Sequence, residues 1–121
     1  MARDIQERAF RLALRIATLE HDDTYRTTVR RIVIQQLVRA ATSIASNLTE
    51  ATAAHSKPDF TAKVGIARKE ARETQYWLRL GRDAGVLHVD DWMALLDEAE
   101  QVSRVVAAIA RNAKRKSTRG D

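Results

Sequence analysis

The stretch TSIASNLTEATAAHSKPDF, residues 42–60, carries the end of one predicted helix and the start of another. Its apolar residues recur at helical spacing, yet small polar side chains stand between them. Ser43, Asn47 and Glu50 are spaced by four and three residues, so on a helix they form one row beside the apolar face. Two interpretations stay open, a solvated edge or a polar seam between helices or subunits. For the seam, Glu73 of the next helix is a candidate partner, because buried polar groups need hydrogen bonds.

The segment HSKPD, residues 55–59, marks the break between these two helices. Ser56 suits an N-cap position, and the proline two residues later is tolerated in a first helical turn, where its missing N–H costs little. The segment therefore separates a helix over residues 28–54 from one over residues 57–84. Gly85 is a natural stop for the second of them.

Helical patterns also flank this central pair. Apolar residues recur every three or four positions over residues 4–20, which predicts a first helix. A similar pattern runs from Trp92 to Ala113, close to a heptad repeat, and Asp90 is placed to cap its start. The chain therefore contains four amphipathic helices.

The fold class follows from four helices joined by short connections. We expect an all-α protein, an antiparallel up-down-up-down four-helix bundle formed by residues 1–113. Residues 114–121 are expected to form a flexible, basic C-terminal tail. The length of 121 residues fits a single domain with a core of its own.

The second and third helices have wider apolar arcs than one bundle face needs. The main stripe of the second helix consists of Val29, Val33, Leu37, Ala41, Ile44, Leu48 and Ala51. Second stripes on the two helices contain Ile34, Val38, Ala45, Ile66, Trp77 and Leu80. Because surplus apolar surface is normally covered, we expect these second stripes to form contacts between subunits.

The composition narrows the classes of function. Cysteine is absent, which excludes disulfides, thiolate metal sites and cysteine nucleophiles. No apolar run approaches the roughly 20 residues of a membrane span, and the charged first residues lack the pattern of a signal peptide. We therefore expect a soluble, cytoplasmic protein. Its net charge of +5 allows a polyanionic partner.

The basic residues fall into two groups, one in the second helix and one in the tail. The candidate nucleic-acid-binding residues are Arg26, Arg30, Arg31, Arg39, Lys114, Arg115 and Lys116. No carboxylate lies between positions 24 and 49, and affinity for nucleic acid rises with the number of phosphates neutralised. A solvated terminus is the alternative for the tail. Since few aromatic residues lie outside the apolar stripes, we expect contacts with the phosphate backbone and no base-specific readout.

Signals for catalysis or metal binding are weak. His21, His55 and His88 stand at predicted helix ends, and none follows a glutamate by three residues as in di-metal bundles. Neither a nucleophile-elbow sequence nor a glycine-rich phosphate loop is present. We expect a non-enzymatic protein with no catalytic residue, no metal and no cofactor.

Three blocks of the chain, TSIASNLTEA, SKPDF and KEARETQYWL, together resemble the 23S rRNA-intervening-sequence proteins. Members of that family carry a similar Ser-x-x-x-Asn-x-x-Glu-Ala block and a similar Lys-Glu-Ala-Arg-Glu-Thr-x-Tyr-Trp-Leu helix, here at residues 43–51 and 69–78. The resemblance covers roughly residues 5–110. It implies a homopentamer of antiparallel four-helix bundles associated with RNA or other nucleic acid, and it brings no catalytic residue.

A related branch of proteins implies an alternative function. The accessory protein of diversity-generating retroelements is a basic pentamer that binds a reverse transcriptase and nucleic acid. If the resemblance extends to this branch, the chain is a scaffold that docks a partner protein such as a reverse transcriptase. The chain is more similar to the intervening-sequence branch, so RNA is the first expected partner.

Overall fold

The computed structural model describes residues 2–21 and 27–118. Over these ranges the chain forms four α-helices: α1 Ala2–Ala17, α2 Thr28–Thr52, α3 Lys57–Asp83 and α4 Val89–Thr118. A 3-10 turn, Thr18–His21, continues α1. The described ranges contain no strand, so the prediction of an all-α chain with four helices is confirmed. Because α4 ends at Thr118, residues 114–118 of the expected tail are helical.

The break between α2 and α3 has the cap that its sequence predicts. The Ser56 hydroxyl accepts a hydrogen bond of 3.2 Å from the backbone N–H of Asp59, and Pro58 lies in the first turn of α3. At the other end of α3, Ala84 is the C-cap and Gly85 follows it with φ +71°. This left-handed conformation favours glycine, which explains why the helix stops there.

The start of α4 differs from the prediction by two residues. The helix begins at Val89, so Asp90 lies inside its first turn and is not the cap. Backbone N–H groups of Asp91 and Trp92 donate to the carbonyl of His88, which closes the first turn. Asp90 and Asp91 still suit this end of the helix, because carboxylates are favourable near the positive N-terminus.

Each helix contributes one apolar face to a common core. The largest buried side chains of the core are at most 2% exposed. They are Ile5, Leu12, Ile16, Val33, Leu37, Ile44, Val64, Leu78, Leu95, Val102 and Val106. Burial of each such side chain contributes about 1.5–3 kcal/mol relative to exposure. The core therefore draws on all four helices, and α1 contacts both α2 and α4 as a closed bundle requires.

Gly81 lets the end of α3 approach the connection that leads to α4. A Cβ atom at this position would lie 2.5 Å from Cδ1 of Leu87 and 3.1 Å from Cγ1 of Val33. Only a residue without a side chain fits that space without displacing Leu87. Gly81 thus fixes the packing of the α3–α4 connection against α2.

The wide apolar arcs are largely absorbed within the bundle. Ile34 and Ala45 are 5% and 8% exposed, so the prediction that they form subunit contacts is wrong. The physical reason is that α2 packs against both α1 and α3, and two neighbours need two apolar faces. Val38 and Trp77 are half-buried against the core. The exposed members of the second stripes, Ile66 and Leu80, lie on α3.

None of the described helices combines the length and the apolar character that crossing a bilayer requires.

Candidate nucleic-acid interface

Arg30 is buried, although the sequence made it a candidate for phosphate binding. It is 5% exposed, and its guanidinium donates hydrogen bonds to the backbone carbonyls of Val86, at 2.7 Å, and Leu19, at 2.9 Å. These bonds join α2 to the 3-10 turn after α1 and to the α3–α4 connection. Arg30 is therefore a structural residue, and the prediction that it binds nucleic acid is corrected.

The first turn of α2 explains why the sequence pattern misplaced this arginine. Val29, assigned to the apolar stripe, is 48% exposed, whereas its neighbour Arg30 points inward. The helical period allows either Val29 or Arg30 to face inward, because Arg30 precedes Leu37 by two full turns and Val29 precedes Val33 by one. The two carbonyls that need a buried donor come from distant segments of the chain, so spacing alone gave no signal for them.

Arg39 is held by carboxylates of α3. Its Nη1 lies 3.1 Å from Oε2 of Glu70, its Nη2 contacts Oε2 of Glu73, and its Nε donates to Oε1 of Gln36 at 3.0 Å. Glu70 is only 8% exposed, so this cation neutralises a carboxylate at the edge of the core. Three of the five N–H donors of Arg39 are engaged by α3 and Gln36, so fewer are available to a phosphate than its place in the sequence indicates, and its role in binding nucleic acid stays a prediction.

The same contacts change the acid–base behaviour of the pair. The hydrogen bond from Arg39 holds the pKa of the Glu73 carboxyl below its ordinary value. In turn, that bond raises the pKa of the Arg39 guanidinium further above its ordinary range. Both shifts are explained by an ion pair between two helices.

The polar row of α2 lies along its boundary with α3. Asn47 is half-buried, and its Nδ2 donates to the backbone carbonyl of Ser43 at 2.9 Å and to the Ser43 hydroxyl at 3.2 Å. Glu50 is exposed and pairs with Lys63 of α3, Nζ to Oε2, at 3.0 Å. This hydrogen bond raises the pKa of the Lys63 ammonium. Two of the row's three members therefore satisfy each other within α2, and the third reaches across to α3.

The remaining candidate cations divide between exposed and undescribed residues. Arg31, Lys114 and Arg115 are exposed. Arg26 lies outside the described residues, and so does the side chain of Lys116. Of the predicted set, three side chains are thus placed where a nucleic acid can reach them.

Other exposed cations were missed by the sequence reasoning, which followed only gaps between carboxylates. Lys69 and Arg72 are exposed and make no ion pair with any residue of 2–21 or 27–118. The same holds for Arg111, which belongs to the basic group near the end of the sequence. Lys69 and Arg72 each directly precede a carboxylate in the sequence, Glu70 and Glu73. In the helix those carboxylates point toward α2 instead. Helical position, and not distance along the sequence, was the signal that could have found them.

A groove of about 680 Å³ lies where the α2–α3 turn meets the end of α4. Its lining includes His55, Phe60 and Ile109. Within the described part of the chain, no three His, Asp or Glu residues come together in a way that could hold a metal ion.

Four long helices around one apolar core, with cations along the outer surface, define a four-helix bundle protein. The chain belongs to the 23S rRNA-intervening sequence protein family, whose sequence model matches residues 2–108. Its structure is similar to that of a Bacteroides thetaiotaomicron protein of unknown function from the S23 ribosomal protein family. The two share 27% identity and a TM-score of 0.77, over 88% of this chain and 97% of the other. None of the curated proteins compared with the chain matches it.

The family resemblance inferred from the sequence blocks is thereby confirmed. A relationship to the retroelement accessory protein stays a prediction.

Proposed function

We propose that this chain is a non-enzymatic, cytoplasmic protein that assembles into a homopentamer and associates with RNA through its basic surface. The observation that carries the proposal is a set of exposed cations that form no direct ion pair with a carboxylate of the described residues. They are Arg31, Lys69, Arg72, Arg111 and Arg115. Unpaired surface cations bind phosphates by releasing counterions, and assembly of several subunits multiplies their number.

Within each subunit we infer the antiparallel up-down-up-down arrangement. Contacts between α2 and α3 support it, because Glu50 meets Lys63 whereas Arg39, eleven residues earlier, meets Glu73. Residue numbers thus rise along one helix as they fall along the other. At the far end of α3, the Arg82 guanidinium lies 5.7 Å from the ring centroid of Trp92, near the start of α4. A short connection between α3 and α4 fits an antiparallel pair.

The perturbed ionisable groups have ion-pair partners that explain their shifts without a catalytic role. Glu73 and Asp83 have lowered pKa values, and in each case the first cause is a hydrogen bond from an arginine, Arg39 or Arg82. Ion pairs explain both shifts, one between two helices and one between adjacent residues of α3.

A second candidate function is a scaffold that docks a partner protein such as a reverse transcriptase. Phe10 and Leu14 favour it, because each is 54% exposed and they lie one turn apart on α1. An apolar pair on the outer surface is typical of a contact with another protein or another subunit. Replacement of both by glutamine separates the candidates, since it removes apolar contacts and leaves the charge unchanged.

The test is binding of a fluorescent single-stranded RNA of about 20 nucleotides, measured by anisotropy at low salt. We expect the wild type to bind. The triple variant Arg31→Glu, Lys114→Glu, Arg115→Glu should weaken binding by roughly tenfold or more, because it reverses three charges. Phe10→Gln with Leu14→Gln should leave RNA binding unchanged.

The absence of RNA binding by the wild type would overturn the RNA proposal. If a polymerase then co-purified with the wild type and was lost with the Phe10 and Leu14 variant, the scaffold function would replace it.

A further inference from the structure

One line of exposed side chains runs along the outer surface of α3 at alternating steps of four and three residues. It consists of Gly65, Lys69, Arg72, Tyr76 and Arg79, and we refer to it as the α3 stripe. This spacing places its members on one face of the helix, and all of them are exposed. From Gly65 to Arg79 the helix rises about 21 Å.

The α3 stripe is positively charged and largely unneutralised. Lys69 and Arg72 make no ion pair with another residue of the described ranges. Arg79 lies 3.9 Å from Asp83, but both side chains are more than half exposed, so this pair is weak in water. Glu73, the carboxylate one turn from Lys69, is bound by Arg39 of α2. The stripe therefore presents cations that a polyanion can use.

An aromatic ring stands among these cations. Tyr76 is 57% exposed, with Arg72 one turn before it and Arg79 one turn after it. Its ring packs edge-on against the half-buried Trp77, with centroids 5.1 Å apart and planes at 84°. Since Trp77 packs against the core, it restrains the ring while leaving much of Tyr76 in solvent. Exposed rings between cations are the combination that binds single-stranded nucleic acids, because any base can stack on them.

Gly65 is unusual because nothing inside the subunit requires a glycine there. Apart from the neighbouring backbone of α3, a Cβ atom at this position would meet no atom of the described residues within 4 Å, and Gly65 lies in the interior of the helix. Glycine destabilises a helix interior relative to alanine, so the position carries a cost without a packing reason. Glycine also permits close approach of a ligand to the backbone. An approaching strand would meet bare helix at Gly65, next to Lys69 and Arg72.

We propose that the α3 stripe is a binding surface for single-stranded RNA. A base stacks on the Tyr76 ring, Lys69, Arg72 and Arg79 neutralise phosphates, and the strand passes closest to the helix at Gly65. At about 3.4 Å per nucleotide of a stacked strand, the stripe accommodates roughly six nucleotides. This inference rests on the proposed association with RNA and assigns it to a face whose cations lie outside the set predicted from the sequence.

The experiment compares four variants by anisotropy with single-stranded RNA of about 20 nucleotides and with a duplex of the same length. Lys69→Gln with Arg72→Gln should weaken both complexes by roughly tenfold. Tyr76→Leu should weaken the single-stranded complex by roughly tenfold, the loss of one stacked base, and leave the duplex unaffected because its bases are paired. Tyr76→Phe keeps the ring and should bind as the wild type does. Arg11→Gln with Arg15→Gln on α1 is the control with the same change of charge.

The outcomes separate this inference from the function on which it rests. If the wild type binds RNA but the α3 variants lose no more affinity than the α1 control, the inference is overturned and the association with RNA stands. If the wild type binds no RNA at low salt, both fail. If Tyr76→Leu changes the number of subunits measured by light scattering, the stripe is a contact between copies, which also overturns the inference.

Gly65→Gln separates an effect on RNA binding from an effect on the stability of the helix. Glutamine forms helices better than glycine, so the melting temperature should stay the same or rise. The longer side chain should nevertheless weaken RNA binding by about threefold or more, since it blocks the closest approach. A variant that is equally stable and binds RNA unchanged would contradict the assigned position of the strand.

Discussion

Nη1 of Arg30 donates a 2.7 Å hydrogen bond to the backbone carbonyl of Val86, which lies 56 residues later in the chain. A second bond from the same guanidinium reaches the carbonyl of Leu19. The buried guanidinium of Arg30 thus pairs two backbone carbonyls that lie in connections between helices. Because Val86 is only 6% exposed, water is a poor substitute for this donor.

Replacement of Arg30 by methionine should therefore destabilise the fold. We expect a loss of about 2–4 kcal/mol in the free energy of unfolding, because two buried hydrogen bonds to a charged group are lost. Arg31→Met, at the exposed neighbouring position, should change it by less than about 0.5 kcal/mol. Urea denaturation measures both, and equal effects of the two variants would show that Arg30 has no special structural role.

The ion pair between Arg39 and Glu73 predicts a specific dependence of stability on pH. Arg39 holds the folded-state pKa of Glu73 below its ordinary value of 4.5. The pair therefore stabilises the fold above the ordinary pKa, and this stabilisation is lost as the pH falls through the folded-state pKa. We expect Arg39→Met to lose less stability than the wild type between about pH 7 and pH 3. Melting temperatures across this range measure the difference, and parallel curves would contradict it.

Alanine substitution of the two glycines within α3, Gly65 and Gly81, should change the stability of the fold in opposite directions. Gly65→Ala should stabilise the subunit by about 0.5–1 kcal/mol, since alanine favours helix and the new methyl group meets no atom. Gly81→Ala should destabilise it by about 1–3 kcal/mol, because its Cβ would collide with Leu87. Chemical denaturation of both variants tests the packing at the end of α3. A stabilising Gly81→Ala would show that Leu87 moves freely.

Much of the fold could be predicted because local signals and apolar periodicity agree. The Ser56 cap and the Gly85 stop act through neighbouring residues, and both are where the sequence indicates. Ile34 and Ala45 could not be assigned so simply, because an apolar side chain facing a neighbouring helix and one facing another subunit follow the same pattern. Burial against a second helix is a property of the assembled bundle.

The candidate site was harder to predict, because accessibility of a cation depends on its tertiary partners. Arg30 and Arg31 are adjacent in sequence, yet one is buried against two carbonyls and the other is exposed. Arg39 is bound by carboxylates 31 and 34 residues away. Conversely, Lys69 and Arg72 are next to Glu70 and Glu73 in the sequence, but these carboxylates face α2 and are not part of the α3 stripe. Charge clustering along the chain therefore does not separate accessible arginines such as Arg31 from buried or paired ones such as Arg30 and Arg39.

The expected pentamer predicts a definite molecular mass. Ile66 and Leu80, exposed apolar side chains of α3, are candidates for coverage by neighbouring subunits. Light scattering of the wild type should give five times the mass of one chain. Replacement of Ile66 and Leu80 by glutamine should lower this mass if they lie between subunits. A stable monomer at micromolar concentration would contradict the assembly.

The salt dependence of RNA affinity tests whether the basic surface binds RNA. Dissociation constants for a single-stranded RNA are measured from about 50 to 300 mM NaCl, for the wild type and for Lys69→Gln with Arg72→Gln. We expect the logarithm of the association constant to fall linearly with the logarithm of salt concentration, by about 0.7 per phosphate neutralised. The double variant should have a slope about 1.4 shallower, because two cations are removed. A flat dependence, or no binding by the wild type at the lowest salt, would contradict association with RNA through a basic surface.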